Sequence, residues 1–204
     1  MGIPVFFIMT IFIVFIIQSS VARSNRSEKK DSEDYLSRER ESNMTPRKDL
    51  STLNFITIPG NLASHSDDMN AEIKACREEI AALSEKKIVN LTGISNTDLK
   101  LTYGTANLPL LSEYDENYAR LARVLNKYGR LLRESGDKDR AAEILEFAIS
   151  TGTDISESYI NLALIYKDAG RVSDIDNLLS QAQALNSMTG ASLVRSLSEI
   201  RNEA

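Results

Sequence analysis

The sequence is poor in the residues that build disulfide frameworks and metal centres. Its 204 residues include one cysteine, Cys76, and one histidine, His65. A single cysteine cannot form an internal disulfide bond, and these two residues cannot supply the four ligands of an ordinary zinc site. We therefore predict no disulfide framework, no Cys/His metal centre and no cofactor.

The chain also lacks the short motifs that usually carry catalysis. It contains no glycine-rich loop for phosphates, no nucleophile elbow and no recognisable catalytic pair of carboxylates. Asp137, Asp139 and Asp154 are interpreted as loop and cap residues. The formal net charge of −5 does not indicate attraction to nucleic acid. We therefore predict a protein that is not an enzyme and has no nucleic-acid partner or small-molecule substrate.

The longest hydrophobic run stands at the N-terminus. Residues 3–17 are nearly all apolar, and no charged side chain occurs before Arg23. About 20 residues of α-helix rise about 30 Å, the thickness of the hydrocarbon core of a bilayer. Residues 1–22 are therefore predicted to form a transmembrane anchor. A signal peptide cleaved after Ala22 is the alternative, but the long run without a preceding basic residue favours the anchor.

Positive charge follows this run instead of preceding it. The basic residues directly after it are Arg23, Arg26, Lys29 and Lys30. Cytoplasmic flanks of transmembrane helices carry an excess of lysine and arginine. We therefore expect a single-pass membrane protein whose helical domain lies in the cytoplasm.

Residues 23–65 have the composition of a flexible, disordered tether beside the membrane. The segment is dense in Ser, Arg, Glu, Asp and Lys, and such a segment buries too little apolar surface to offset its conformational entropy. Its apolar exception is the stretch 53–58. We expect that stretch to pack against the helical domain, with binding to a partner as the alternative.

From residue 66 to residue 204 the apolar residues recur at the spacing of amphipathic helices. The first helix is predicted to begin at Ser66, since Ser66 and the two aspartates after it suit a helix N-terminus. A second is predicted from Asn96 or Thr97, with Pro109 kinking or ending it. We interpret these two helices as a degenerate repeat at the N-terminal end of a repeat domain.

A repeat follows these helices. Gly136 recurs as Gly170 and Ala148 as Ala182, 34 residues later in both cases (170 − 136 and 182 − 148). In each unit, two apolar stripes at helical spacing are separated by a glycine, which accepts a positive φ without steric cost. Each unit therefore predicts two antiparallel helices joined by a tight turn.

The two units resemble the tetratricopeptide repeat. The positions that fit its pattern are Leu125, Tyr128, Gly129, Leu132, Gly136, Ala141, Leu145 and Ala148, then Tyr159, Leu162, Ala163, Tyr166, Gly170, Ile175, Leu179 and Ala182. Leu125 stands where that family has an aromatic residue, and Ile175 stands where it has a small one. The resemblance implies repeats at about 122–155 and 156–187, and a segment at 190–203 is predicted to be a C-terminal capping helix.

The predicted fold is therefore all-α. It is a short solenoid of antiparallel helix pairs, similar to tetratricopeptide repeats, that follows an N-terminal transmembrane helix and a flexible tether. Neither helix pair buries its apolar face alone, so neighbouring units must stack.

Basic residues recur along the first helix of the first unit. They stand at Arg120, Arg123, Lys127, Arg130 and Arg133, a spacing that places them on one helix face, opposite the leucine stripe. Arginine holds carboxylates in a bidentate fork, so this face predicts an acidic ligand. The alternative is a solvated face whose charges pair partly with Glu113, Asp115 and Glu116.

The resemblance also implies where a partner binds. In tetratricopeptide repeats the first helix of each repeat lines a concave groove that takes an extended peptide or a helix. The matching positions here are Arg123, Asn126, Arg130 and Arg133 in the first unit, and Glu157, Ile160, Leu164, Lys167 and Asp168 in the second. We therefore predict a membrane-tethered adaptor for a protein partner with an acidic or mixed segment. The alternatives are a structural or self-associating component of a membrane complex, and a secreted repeat domain if the N-terminus is cleaved.

Overall fold

The computed structural model describes residues 32–63, 70–185 and 190–204. Within these ranges the regular structure is helical, without a β-strand, so the predicted all-α class is confirmed. The predicted anchor, residues 1–22, lies outside the described residues. Among the helices that are described, none combines the length and the apolar character needed to cross a membrane.

The described helices follow one another with short connections. They are α1 (32–44), α2 (Ala71–Ser84), α3 (Asn96–Tyr103), α4 (Leu108–Glu134), α5 (Lys138–Ser150), α6 (Ser156–Asp168), α7 (Val172–Ala184) and α8 (Gly190–Asn202), with 3-10 helices at Gly60–Ala63 and Thr105–Asn107. The chain divides into two compact units. One contains Met1–Asp49 with Ser95–Leu108, and the other contains Leu50–Ile94 with Pro109–Ala204.

In the first unit, α1 is held to α3 by polar side chains. Arg38 pairs with Asp98, and Lys100 donates hydrogen bonds to Glu39 and to Asn43. This finding differs from the prediction of a flexible tether, because residues 32–44 of that segment are helical. The charged residues of this segment suggest a solvated chain, but Arg38 and Glu39 have partners on α3 about 60 residues away. Amino-acid composition does not reveal such distant partners.

The connection that follows α1 is held to the end of α3 by hydrogen bonds of the Asn107 side chain. The Asn107 side chain is fully buried and accepts a hydrogen bond from Arg47 Nε at 2.9 Å. Its amide group donates to the backbone oxygens of Lys48 and Tyr103, both at 2.7 Å. Every polar atom of this buried side chain is therefore satisfied, which removes the penalty for burying it.

We expect acid to weaken the contact between α1 and α3. The hydrogen bonds from Lys100 and Thr97 hold the pKa of the Glu39 carboxyl below its ordinary value of 4.5. Because the folded-state pKa is the lower one, this stabilisation is fully present above about pH 4.5 and is lost as the pH falls through the folded-state pKa. Amide protection of α1, measured by NMR from about pH 6 to about pH 3 and corrected for intrinsic exchange, should fall in the wild type. Glu39→Gln should remove much of this pH dependence; an unchanged profile in that variant would contradict the assignment.

In the second unit, α2 begins later than predicted. Asn70 caps it, because the Asn70 side chain accepts hydrogen bonds from the amides of Glu72 and Ile73 at 2.8 and 3.4 Å. The helix therefore starts at Ala71 and not at Ser66, which lies outside the described residues.

Pro109 begins a helix instead of ending one. The predicted start of α3 is correct, since Ser95 caps it and Asn96 is its first residue. The helix then ends at Tyr103, and Pro109 lies in the first turn of α4, so the predicted kink or end at Pro109 is wrong. Proline is favourable there because the first turn of a helix does not use its amide N–H, and its fixed φ suits a helix.

The turns after α4 and α6 are alike. Gly136 has a φ of +90° and Gly170 a φ of +68°. The amide of Asp137 donates to Leu132 O at 2.9 Å, and the amide of Arg171 donates to Tyr166 O at 2.8 Å. Each glycine thus closes the same Schellman motif, so the glycines that repeat in the sequence also repeat in local structure.

The core of the second unit lies along the apolar stripes of its helices. Its fully buried side chains include Leu121, Leu125 and Leu132 of α4, Leu145 of α5 and Ile175 of α7. Leu193 and Leu197 of α8 belong to the same cluster.

The stretch 53–58 packs against this unit, as expected from the sequence. The amide of Ile56 donates to Ile88 O at 2.9 Å, and the Phe55 ring meets the Tyr114 ring edge to face at 5.7 Å. Ile58 is buried in the core.

Candidate functional site

The polar face of α4 is bordered on one side by α2. Lys127 Nζ lies 3.2 Å from Glu72 Oε1, and Arg120 Nη2 lies 3.1 Å from Glu79 Oε1. These partners differ from the alternative considered for the basic face, which paired it with acidic residues of its own helix. The glutamates of α2 are 55 and 41 residues away in the chain. Two of the five basic residues of this face therefore form ion pairs with glutamates of α2.

On the other side, the same face of α4 is joined to α6. Asn126 Nδ2 donates to Glu157 Oε2 at 2.7 Å, and Ser158 Oγ donates to Asn126 Oδ1 at 2.9 Å. Arg130 contacts Glu134 at 3.0 Å and Glu157 at 3.6 Å. The hydrogen bond to Glu134 is the main reason that the pKa of Arg130 is raised. Asn126, Arg130 and Glu157, all predicted to line a groove, thus do lie together.

The predicted charges near the end of α6 are also paired. Lys167 Nζ lies 2.7 Å from Glu203 Oε2, and Lys138 Nζ lies 2.7 Å from Asp168 Oδ2. The hydrogen bond from each lysine lowers the pKa of its carboxylate partner below the ordinary range. These pairs are largely exposed, so each contributes little to stability, but each leaves its lysine less available to a partner.

The remaining predicted positions are partly covered. Ile160 and Leu164 are half-buried, and Ile160 packs against the core. Arg133 is half-buried as well, and its Nε is buried without a hydrogen-bond partner in the described residues. The predicted apolar pocket of Ile160 and Leu164 is therefore only partly accessible.

Arg123 differs from the other predicted cations. It is exposed and forms no hydrogen bond or ion pair within the described residues. It also lines two clefts, one on each side of α4. Arg123 is therefore the predicted position that is most available to a partner.

The first of these, the α2–α4 cleft, has a volume of about 440 Å³. It is lined by Ala75, Cys76, Glu79, Arg120, Arg123, Val124 and Lys127. Burial raises the pKa of the Cys76 thiol, so this thiol stays protonated and is a poor nucleophile. The α2 wall of this cleft could not be predicted, because nothing in the sequence specifies which helix lies beside α4.

The second lies between α4 and the connection that leads into α6; this α4–α6 cleft has a volume of about 240 Å³. It is lined by Thr92, Asp115, Tyr118, Ala119, Ala122, Arg123, Thr153, Asp154 and Ile155. Asp115 accepts a hydrogen bond from the Leu91 amide at 3.1 Å.

Asp154 is the acidic residue of the α4–α6 cleft that sequence reasoning missed. The interpretation of Asp154 as a loop residue is correct, because it lies in the connection before α6, but α6 begins after Ile155 and has no side-chain cap. Asp154 is exposed, and its carboxylate forms no hydrogen bond or ion pair within the described part of the chain. A cap is therefore not its role. By contrast, Asp137 does cap α5 by accepting from the Arg140 amide at 3.2 Å.

Comparison of the chain with protein-family models, with curated proteins and with solved structures finds no match. Across residues 32–63, 70–185 and 190–204, no group of histidine, cysteine and acidic side chains is arranged to hold a metal ion. The resemblance to tetratricopeptide repeats remains a prediction that rests on the residues of the repeat.

Proposed function

We propose that this protein is a membrane-tethered adaptor that binds a segment of a protein partner along the polar face of α4. In this proposal residues 1–22 anchor the chain, and the helical part lies in the cytoplasm. The helix pairs α4/α5 and α6/α7 form consecutive repeats similar to tetratricopeptide repeats, and α8 covers their C-terminal end. The tether would raise the local concentration of the bound partner at the membrane.

The observation that carries this proposal is the position of Arg123. Arg130 and Lys167 of the predicted groove have carboxylate partners, whereas Arg123 is exposed, without such a partner in the described residues, between two clefts. An arginine fork can hold a carboxylate bidentately. An acidic side chain of an extended segment would therefore meet Arg123 without first displacing an internal ion pair.

The repeat arrangement is supported by two further observations. The turns at Gly136 and Gly170 have the same hydrogen bonds. In addition, α6 contacts both α5 before it and α8 after it, as expected of helix pairs that stack along the chain.

The test of partner binding uses the full chain in detergent and acetylated, amidated ten-residue peptides with two glutamates in a Ser/Ala background. We expect Arg123→Glu to weaken binding at least about tenfold in fluorescence anisotropy, since like charges would face each other. Arg195→Glu is the matched control, because Arg195 is exposed on α8 and lines neither cleft. Equal affinity of both variants would refute the proposal, and so would the absence of wild-type binding both to these peptides and to peptides that carry both signs of charge.

The membrane part has a separate test. Protease treatment of intact cells, combined with sequencing of the mature N-terminus, should leave residues 60–204 protected and Met1 uncut. Digestion from outside, or a new N-terminus at Arg23, would overturn the anchored cytoplasmic topology.

A further inference from the structure

The two clefts beside α4 carry opposite charge. The α2–α4 cleft is lined by three basic side chains, Arg120, Arg123 and Lys127, and by one carboxylate, Glu79. The α4–α6 cleft is lined by two carboxylates, Asp115 and Asp154, and by Arg123 as its basic side chain. The first cleft is therefore formally positive and the second formally negative, and Arg123 stands at their common edge.

The internal pairs do not cancel this difference. In the α2–α4 cleft, Glu79 pairs with Arg120, and Lys127 pairs with Glu72, whereas Arg123 forms no ion pair with any residue that the structure describes. In the α4–α6 cleft, the carboxylate of Asp154 has no hydrogen bond or ion pair among the described residues. Arg123 and Asp154 line the same cleft without forming an ion pair with each other. Each of these charges is thus open to a ligand group of the opposite sign.

We propose that the segment bound along α4 carries both signs of charge. An acidic side chain would enter the α2–α4 cleft beside Arg123, and a basic side chain would enter the α4–α6 cleft beside Asp154. This inference rests on the proposed function and names the chemistry of the partner. A uniformly acidic segment would set a carboxylate against Asp115 and Asp154, which charge complementarity disfavours.

The length of the site along α4 limits the spacing of the two charges. Asp115 and Lys127 are at opposite ends of the combined site, and twelve helical residues span about 18 Å. An extended peptide advances about 3.3 Å per residue. The acidic and the basic residue of the partner should therefore stand at most about five positions apart, since Arg123 and Asp154 line the same cleft within this length.

The experiment compares peptides of equal length against the full chain by fluorescence anisotropy. One set of peptides places Glu and Lys about two to five positions apart, in either order; a further peptide places them about nine positions apart, which is longer than the combined site; a last peptide replaces Lys by a second Glu. We expect at least one of the closely spaced mixed peptides to bind at least about tenfold more tightly than the nine-position peptide and the Glu/Glu peptide, because only it fills both clefts with complementary charge. The nine-position peptide has the same net charge and thus controls for nonspecific attraction.

Two variants identify the contacts. Asp154→Asn should weaken the closely spaced mixed peptide about five- to tenfold and leave a Glu/Ser peptide unchanged, since only the lysine faces Asp154. Asp139→Asn, an exposed acidic residue of α5 outside both clefts, is the matched control and should change neither. If the Glu/Glu peptide binds as tightly as the mixed ones and remains sensitive to Arg123→Glu, the mixed-charge inference is overturned and the proposed function stands. If no peptide responds to Arg123→Glu, both are overturned.

Discussion

Replacing Ile175 with alanine is expected to lower the free energy of unfolding by about 2–5 kcal/mol, the usual cost of emptying a core site of this size. Ile175 has no solvent-exposed surface and belongs to the core cluster of the second unit. Alanine would remove three carbon atoms from a closely packed site and leave a cavity. Chemical unfolding followed by circular dichroism at the helical band measures the change.

The structure and the resemblance to tetratricopeptide repeats predict different results for Ile175→Ala. The family pattern has a small residue at this position, and the first unit has Ala141 there, which is also fully buried. Sequence resemblance alone would thus predict that alanine is well accepted at position 175. The structure predicts a large loss, because the neighbours of Ile175 have packed around the larger side chain.

The control for Ile175 is an isoleucine whose side chain faces solvent. Ile94 is 47% exposed, so Ile94→Ala should change the free energy of unfolding by less than about 0.5 kcal/mol. If Ile175→Ala proves as mild as Ile94→Ala, then α7 is not packed against the core as described.

The helices that sequence reasoning predicted well are those whose signals are local. The apolar stripes of α4 to α7 recur at helical spacing, and Gly136 and Gly170 end helices because a positive φ suits glycine. Such signals lie within a few residues of the structure they determine. Pro109 shows the limit of this reasoning, since proline suits both the end of one helix and the first turn of the next.

What could not be predicted depends on contacts between distant residues. The pairing of Lys127 with Glu72 requires α2 to lie beside α4, and no periodicity specifies this neighbour. The helix at 32–44 depends in the same way on partners in α3, such as Lys100 for Glu39. Composition alone predicts a solvated chain in that region.

In the candidate site, too, the local pattern could be predicted from the sequence and the contacts with distant residues could not. The basic spacing along α4 correctly gathers the charges on one face, but it cannot show which of them are taken by internal partners. The structure supplies that information. Among the described residues, three of the five cations pair with carboxylates and Arg133 is half-buried, which leaves Arg123 as the exposed cation without an ion pair.

Replacing Gly104 with alanine is expected to destabilise the first unit by more than about 3 kcal/mol, a loss reserved for substitutions that break a specific feature. Gly104 has φ +88° and ψ 144°, a conformation that residues with a side chain rarely adopt. In addition, a Cβ at this position would lie 2.1 Å from Pro46 O and 2.7 Å from Arg47 Cα. These are backbone atoms, so they cannot be moved by a change of rotamer.

Hydrogen exchange gives a local measurement of this effect. The amide of Lys48 donates to Tyr103 O at 3.0 Å, and the amide of Thr105 donates to Thr45 O at 3.3 Å. Gly104 lies between Tyr103 and Thr105 in the chain, and the two bonds join these neighbours to residues 45–48. A displacement at position 104 should therefore break both bonds, so both amides should lose most of their protection in Gly104→Ala.

Gly93→Ala separates backbone strain from steric overlap. Gly93 has φ +83°, close to that of Gly104, but a Cβ there would meet no atom within 4 Å. Gly93→Ala should therefore lower the free energy of unfolding by only about 1–2 kcal/mol, through backbone strain, and leave the protection of the Lys48 and Thr105 amides unchanged. If Gly104→Ala also leaves those two amides protected, the connection after α1 does not lie against Gly104.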